Sequence, residues 1–369
     1  MDIFRISFYD KFSCIAGKCP STCCHGWMIP LTPEDRERFR KQKGLFKLSL
    51  LSRMSSSYIY CFNKGSGTCP FYNSDGLCSL QLKMGHDFIP EACRMFPRFY
   101  RNYGPFEEHY LDLACIEAAR EFLEGYSDMH LEVSEGEPLS EPCTTNDDAG
   151  LLTLLRHTRE ECILMVQKAD TPQALASALK SLDNHAGALQ KAALSGDELP
   201  DTVEPCKTEA GPCLFPLDLS FYKRIMDTSF YNIRLRRSNP ALYRLLRLYF
   251  DDPEHILASG ESFKAAAGDF FTNNKEAAKY LAAYYAYYLY LYYLKSFEDY
   301  SFVRNIRIGI VHLNMILLLC VLRTGGKSTL SVADLSQIIA AYNRRAYFNE
   351  EIVDELYHCL DPLDPSTFA

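Results

Sequence analysis

The residues best placed to do chemistry in this sequence are thiols. Cys14, Cys19, Cys23 and Cys24 fall within eleven residues, and Cys69, Cys78, Cys93 and Cys115 follow at wider intervals. Thiolate sulfur is a soft ligand that suits Zn(II) or the iron of an iron–sulfur cluster. Four thiolates satisfy one tetrahedral zinc, and four satisfy a [4Fe–4S] cube, so eight in two groups fit either metal. Spacing alone does not choose between them. The adjacent Cys23 and Cys24 point in different directions, which means separate centres or one structural thiol. His25 and His86 are the nearest additional ligand types, and each more commonly serves as a hydrogen-bonded side chain.

The chemistry of a thiol depends on its compartment. The chain holds 15 cysteines in 369 residues, an odd total, and its start, Met1-Asp2-Ile3-Phe4-Arg5, lacks the apolar stretch of a secretory signal. Both features point to the reducing cytoplasm, where clustered cysteines hold metal more often than they pair. Cys162, Cys320 and Cys359 sit in helical stretches and read as small buried hydrophobes. Acidic residues outnumber basic ones, 47 to 39, for a net charge of -8. That field disfavours binding driven by nucleic-acid phosphates. The longest apolar run, Ile308 to Leu322, carries His312 and Asn314 and is shorter than the roughly 20 residues that span a bilayer. It reads as a buried helix of a soluble protein with no membrane partner.

The expected fold is mainly α, with an irregular cysteine-rich lobe followed by an all-α domain. The cysteine-rich block covers residues 1–125. Its clearest helix starts at Thr32-Pro33-Glu34-Asp35, where a cap, a first-turn proline and first-turn acids coincide, and is expected to stop at Gly44. Another short helix follows Cys115. Asn73-Ser74-Asp75-Gly76, between Cys69 and Cys78, is a turn signal. Residues 126–150 read as an acidic linker, 151–195 as a helical segment restarted at Thr171-Pro172, and 196–216 as a proline-containing linker. Residues 217–369 read as helices by period, with caps at Asn239-Pro240 and Ser331 and a last helix from Glu350 to Cys359.

The neighbours of the thiols are more distinctive than their spacing. Cys14-x4-Cys19-x3-Cys23-Cys24-His25-Gly26-Trp27-x-Ile29 is followed by Cys69-Pro70-Phe71 and by Gly76-Leu77-Cys78. Cys93-Arg94-x-Phe96-Pro97-Arg98 and Leu113-Ala114-Cys115-x-Glu117-Ala118-Ala119-Arg120 complete the set. Together these motifs, over roughly residues 9 to 120, resemble the bacterial flagellin lysine N-methylases. They are also similar to the wider CxxCxxCC cysteine-cluster family, with longer first spacings here. The resemblance implies transfer of a methyl group from S-adenosylmethionine to lysine ε-amines of flagellin, and a [4Fe–4S] cluster held by the N-terminal cysteines. A zinc-stabilised binding module and an iron–sulfur redox protein are the alternative functions.

Methyl transfer to lysine needs a neutral amine aligned with the methyl donor in a dry pocket. Nine of the 24 tyrosines lie between residues 280 and 300, and Tyr284 and Tyr288 are candidates to face a sulfonium by cation–π attraction. Tyrosines run all round that helix, so core packing is the competing reading. Arg94 and Arg98, beside Cys93, are candidates to grip a cofactor carboxylate or to offset thiolate charge. Trp27 is placed to shield a cluster. No glycine-rich turn follows a strand, and no nucleophile elbow or phosphate loop is present.

Overall fold

The computed structural model describes residues 1–60, 67–206, 219–227, 235–251, 256–347 and 360. The strands are β1 (Asp2–Ile6), β2 (Ile29–Pro30), β3 (Tyr58–Ile59), β4 (Arg98–Asn102), β5 (Phe106–Leu111) and β6 (Leu131–Glu135). The helices are α1 (Pro33–Arg40), α2 (Gly44–Leu51), α3 (Ser79–Met84), α4 (Glu91–Met95), α5 (Ile116–Gly125), α6 (Ala149–Gln167), α7 (Pro172–Ser195), α8 (Leu219–Ile225), α9 (Leu235–Ser238), α10 (Pro240–Asp251), α11 (Gly260–Asn273), α12 (Ala277–Tyr292), α13 (Ser296–Asp299), α14 (Phe302–Thr324) and α15 (Val332–Ala346). The chain is mostly helical with some sheet. Cys61, Gly65-Ser66, residues 207–216 of the proline-containing linker, Cys213 and the expected helix from Glu350 to Cys359 lie outside the described residues.

Two compact units emerge. The first is Met1–Glu141 with Asn232–Arg244 and Ser336–Phe348; the second is Pro142–Tyr231 with Leu245–Leu335 and Asn349–Ala369. The boundary therefore falls inside α10 and α15.

The first unit is more regular than the expected lobe. Its four-stranded sheet has the order β4-β5-β1-β6. The β4–β5 hairpin is antiparallel, with Arg98 opposite Leu111, whereas β1 runs parallel to β5, with Ile3 opposite Glu107. The edge strand β6 pairs antiparallel with β1 and lies inside the stretch that reads as an acidic linker. Its charged, exposed residues suit an edge, because charge discourages pairing with another chain.

The strand β5 carries Glu107, Glu108 and His109 in its interior, a pattern that hides it from a search for apolar alternation. Glu107 is fully buried because a distant segment supplies its donors. Its carboxylate accepts bonds from Leu139 N at 3.0 Å, from Ser140 N at 3.1 Å and Oγ at 3.0 Å, and from His109 Nε2 at 2.7 Å. Arg5 Nε donates to His109 Nδ1, which leaves Nε2 to donate to Glu107.

The helix signals of this unit hold in the structure. Thr32 and Asp35 form a reciprocal capping box at α1. Asp35 also accepts Glu91 N at 3.1 Å and pairs with Arg38, tying α1 to α4. The expected stop at Gly44 is instead a start: Gly44, at φ +61°, opens α2 directly after a short turn.

The second unit is a helical bundle. Thr171 caps α7 with Pro172 in its first turn, and Gly196 ends it in the left-handed region. α12 packs on α6 and α14, and α14 packs on α7. α12 is buried on every face, and its hydroxyls reach the neighbouring backbone: Tyr285 donates to Ile306 O at 3.0 Å and Tyr288 to Asn305 O at 2.8 Å. Among the described residues, α14 alone is long and apolar enough to cross a membrane, and its apolar window is 94% buried within the chain, the environment of a core helix.

Two outcomes follow. Burial alone would raise the Glu107 carboxyl, but the donors from Leu139, His109 and Ser140 outweigh it and hold the group below the ordinary glutamate range. Its stability contribution is therefore complete above that range and lost as pH falls through the lower folded value. Glu107→Gln turns a donor toward donors and is expected to cost on the order of 2 kcal/mol near neutral pH, a difference that shrinks by about pH 3. Denaturant unfolding at the two pH values measures this. Separately, a Cβ on Gly309 of α14 would overlap the Tyr288 and Tyr285 rings. Gly309→Ala is expected to lower the unfolding free energy by about 1–3 kcal/mol, read from the same curves.

Candidate functional site

All eight candidate ligands lie in the first unit, and local structure sorts them. Cys24 O accepts Cys69 N at 2.7 Å, Tyr72 N reaches Cys69 O at 3.0 Å, and Tyr72 forms an antiparallel bridge with Cys78 across the Asn73–Gly76 turn. Cys69 belongs to an apolar cluster with Ile29, Phe39, Leu80 and Phe88, and Cys24, Cys78 and Cys93 pack against it. Cys78 is the N-cap of α3, and Cys115 is the N-cap of α5.

A residue that sequence reasoning missed ties together the segments that precede Cys23 and Cys115. Arg344, near the end of α15, is only 9% exposed. Its Nη1 donates to Ser21 Oγ at 3.2 Å and Thr22 O at 3.3 Å; Nη2 donates to Ser21 O at 3.0 Å and Ala114 O at 3.1 Å. The guanidinium lies over the Trp27 ring, 5.3 Å from its centroid. Trp27 itself donates to Cys23 O at 2.6 Å and meets the Phe96 ring edge-on. Asn239, the cap of α10, donates to Ala341 O at 2.6 Å and so holds α15 one turn before Arg344. One signal in the sequence does mark the residue: an arginine three positions after Ala341 on the buried face that also carries Ile338.

Burial raises most of these thiols. It lifts Cys69 to about 12 and Cys115 to about 11, and raises Cys19 and Cys78. Cys23 and Cys24 are different because they share a hydrogen bond. That bond lowers Cys24 to about 7, with help from Thr22, and makes Cys23 harder to ionise. Burial pushes the Asp112 carboxyl up to about 6, against the bond it accepts from Ala114 N and the nearby Arg344.

Among the described residues, no three Cys, His, Asp or Glu side chains are gathered tightly enough to hold an ion. The donor chemistry nonetheless fits a soft metal or cluster, since the donors are thiols. A second observation agrees. Arg344 Nε is buried with no hydrogen-bond partner among the described residues, a donor that an acceptor such as thiolate sulfur would satisfy.

The other predicted residues scatter. Arg94, on α4, donates to Asp87 O at 2.9 Å. Arg98, opening β4, donates to Phe12 O at 2.9 Å and lies over the Phe12 ring at 5.1 Å. Both are thus held by carbonyls in the first unit. Tyr284 and Tyr288 are buried in the second unit, where the Tyr288 hydroxyl is engaged by Asn305 O. His25 Nδ1 pairs with Thr68 Oγ1 at 3.0 Å, and burial lowers its pKa, with Arg344 adding to the effect. His86 is exposed. Cys162 and Cys320 are buried in α6 and α14, as small apolar groups are.

Comparison with known proteins adds the next constraint. No family model and no solved structure matches the chain. Over 129 residues it is 26% identical to curated proteins named Lysine-N-methylase from Salmonella typhimurium and Salmonella choleraesuis. Its likeness is to lysine N-methylases. The matched segment takes in 32% of this chain and 31% of the length of each of those relatives. The chain is also 26% identical over 129 residues to the Flagellar biosynthetic protein FliU of Salmonella muenchen, covering 74% of that protein.

The thiol environments have a direct readout. In reduced, metal-free protein near neutral pH, the hydrogen bond within the Cys23–Cys24 pair favours a shared thiolate, whereas burial keeps Cys69 and Cys115 neutral. Timed iodoacetamide labelling followed by peptide mapping is expected to modify the pair ahead of Cys69 and Cys115. Labelling of Cys69 or Cys115 first would contradict the assigned environments.

Proposed function

We propose that this chain is a protein-lysine N-methyltransferase that transfers a methyl group from S-adenosylmethionine to lysine ε-amines of flagellin. In this reading a cysteine-ligated [4Fe–4S] cluster in the first unit is required, and the protein works in the reducing cytoplasm of a bacterium. The observation that carries the reading is the shared 26% identity with Lysine-N-methylases and with a flagellar biosynthetic protein. The lobe chemistry supports it: the described cysteines are all free thiols, and eight of them lie in one unit.

The transfer breaks the bond between the sulfonium sulfur and its methyl carbon and forms one to the lysine nitrogen. The amine must lose its proton to attack, which a dry site favours by penalising the ammonium form. When bound, the cluster supplies an iron centre and a cross-link among chain segments. The chain's own part is physical. Arg344 holds the segments that carry Cys23 and Cys115, and the Trp27 ring lies under its guanidinium and meets Phe96 edge-on.

A zinc-stabilised lobe without enzymatic activity uses the same thiols. It is favoured by the packing of Cys24, Cys69, Cys78 and Cys93 on the apolar cluster, a structural placement. Anaerobic purification separates the readings. The expected product is brown, holds about four irons per chain, and adds methyl groups to flagellin when given S-adenosylmethionine, as weighed by mass spectrometry. A colourless zinc protein argues for the binding module. A fully loaded iron protein that leaves flagellin unmodified argues for redox chemistry. Cys23→Ser and Cys24→Ser, tested singly for iron, show which of the pair is a ligand.

A further inference from the structure

We infer that the first unit carries a docking face, formed by α2 and α3, that takes an anionic lipid surface. The first support is where the leucines lie. α2 turns Phe46 and Leu50 onto the apolar cluster, yet Leu45 and Leu48, one turn apart on its other side, are 85% and 62% exposed. α3 buries Leu80 and leaves Leu82 64% exposed. The two helices are neighbours, because Lys83 of α3 holds its ammonium 4.3 Å from the centroid of the Phe46 ring. A lone exposed leucine is ordinary on a protein surface, but three on two adjacent short helices mark an interaction surface.

Charge is the second support, and it names the partner. The chain as a whole is acidic, at -8, but from Arg38 to Ser74 it contains no Asp or Glu and seven Lys or Arg. Lys41 pairs with Glu37 and Arg38 with Asp35, whereas Arg40, Lys43, Lys47 and Lys83 have no acidic partner among the described residues. Lys43 is the N-cap of α2, whose first turn holds no acid, so the positive end of the helix adds to the field. Exposed leucine beside lysine is the composition by which peripheral segments enter the headgroup region of anionic membranes. Side chains as exposed as Leu45 can each enter a fluid interface, whereas a rigid protein partner needs a matched hollow for every one. A peripheral contact needs no spanning helix, so the burial of α14 within the chain is compatible with it.

Flotation of the whole chain with lipid vesicles tests the face. Wild type is expected to bind vesicles of about 30% phosphatidylglycerol in phosphatidylcholine at about 0.05 M salt, to leave them at about 0.5 M, and not to bind pure phosphatidylcholine. Leu45→Ser with Leu48→Ser, and separately Lys43→Gln with Lys47→Gln, are each expected to weaken binding about tenfold or more, with helix content checked by circular dichroism. Leu194→Ser, which alters an exposed leucine of the second unit, is expected to bind as wild type does. No binding of wild type at low salt overturns the inference. Anionic binding that is indifferent to the Leu45 and Leu48 pair, or weakened equally by Leu194→Ser, also overturns it. If vesicles are not bound but an acidic amphipathic peptide is, through the same leucines, the face serves a protein partner and the lipid assignment fails.

Discussion

A guanidinium held away from water by backbone carbonyls is the interaction that organises the cysteine-rich unit. Arg344 brings the chain before Cys23 and the chain before Cys115 to one point, and Trp27 stacks on its face. Because its charge cannot be titrated away, the surroundings must carry dipoles or anions that answer it. Cys19, Cys23 and Cys115 feel that charge, whereas Cys69 lies in the apolar cluster, and Cys24, which packs on that cluster, adjoins Cys23. The hydrogen bond within that pair makes one thiol acidic at the expense of the other.

A comparable rule governs the sheet. Glu107 and His109 sit inside a strand because Arg5, Leu139 and Ser140 satisfy them from elsewhere. Buried polar groups are tolerated when every donor and acceptor is matched, and here the match requires segments far apart in the chain. The helical unit reaches the same end differently. The tyrosines of α12 bury their rings against α14 and turn their hydroxyls onto its carbonyls, which Gly309 permits by leaving room for two rings.

These cases show what is legible in local sequence. Caps and turns were: Thr32 with Asp35, Thr171 with Pro172, Asn239 and Ser331 all start helices, because their partners lie within three residues. The turn between Cys69 and Cys78 was legible for the same reason. The four-stranded sheet was not, since β1 pairs with β5 across a hundred residues and β5 lacks apolar alternation. The tyrosine-rich helix was readable as buried, but its hydroxyl acceptors depend on which helix lies beside it.

By itself the sequence determined the mostly helical character, the thiol chemistry and the likeness to lysine N-methylases, because composition, short-range periodicity and motif residues are local properties. Only the tertiary structure decided that Cys69 joins an apolar cluster with Cys24, Cys78 and Cys93 packed on it, and that a buried arginine meets the segments before Cys23 and Cys115. It also showed that an acidic stretch closes a sheet edge. Those outcomes depend on which distant groups share one low-dielectric space, where charge and unsatisfied hydrogen bonds cost most. Arg344 is the clearest instance: its neighbours in the chain are Asn343 and Arg345, and its neighbours in space are Ser21, Thr22, Trp27 and Ala114.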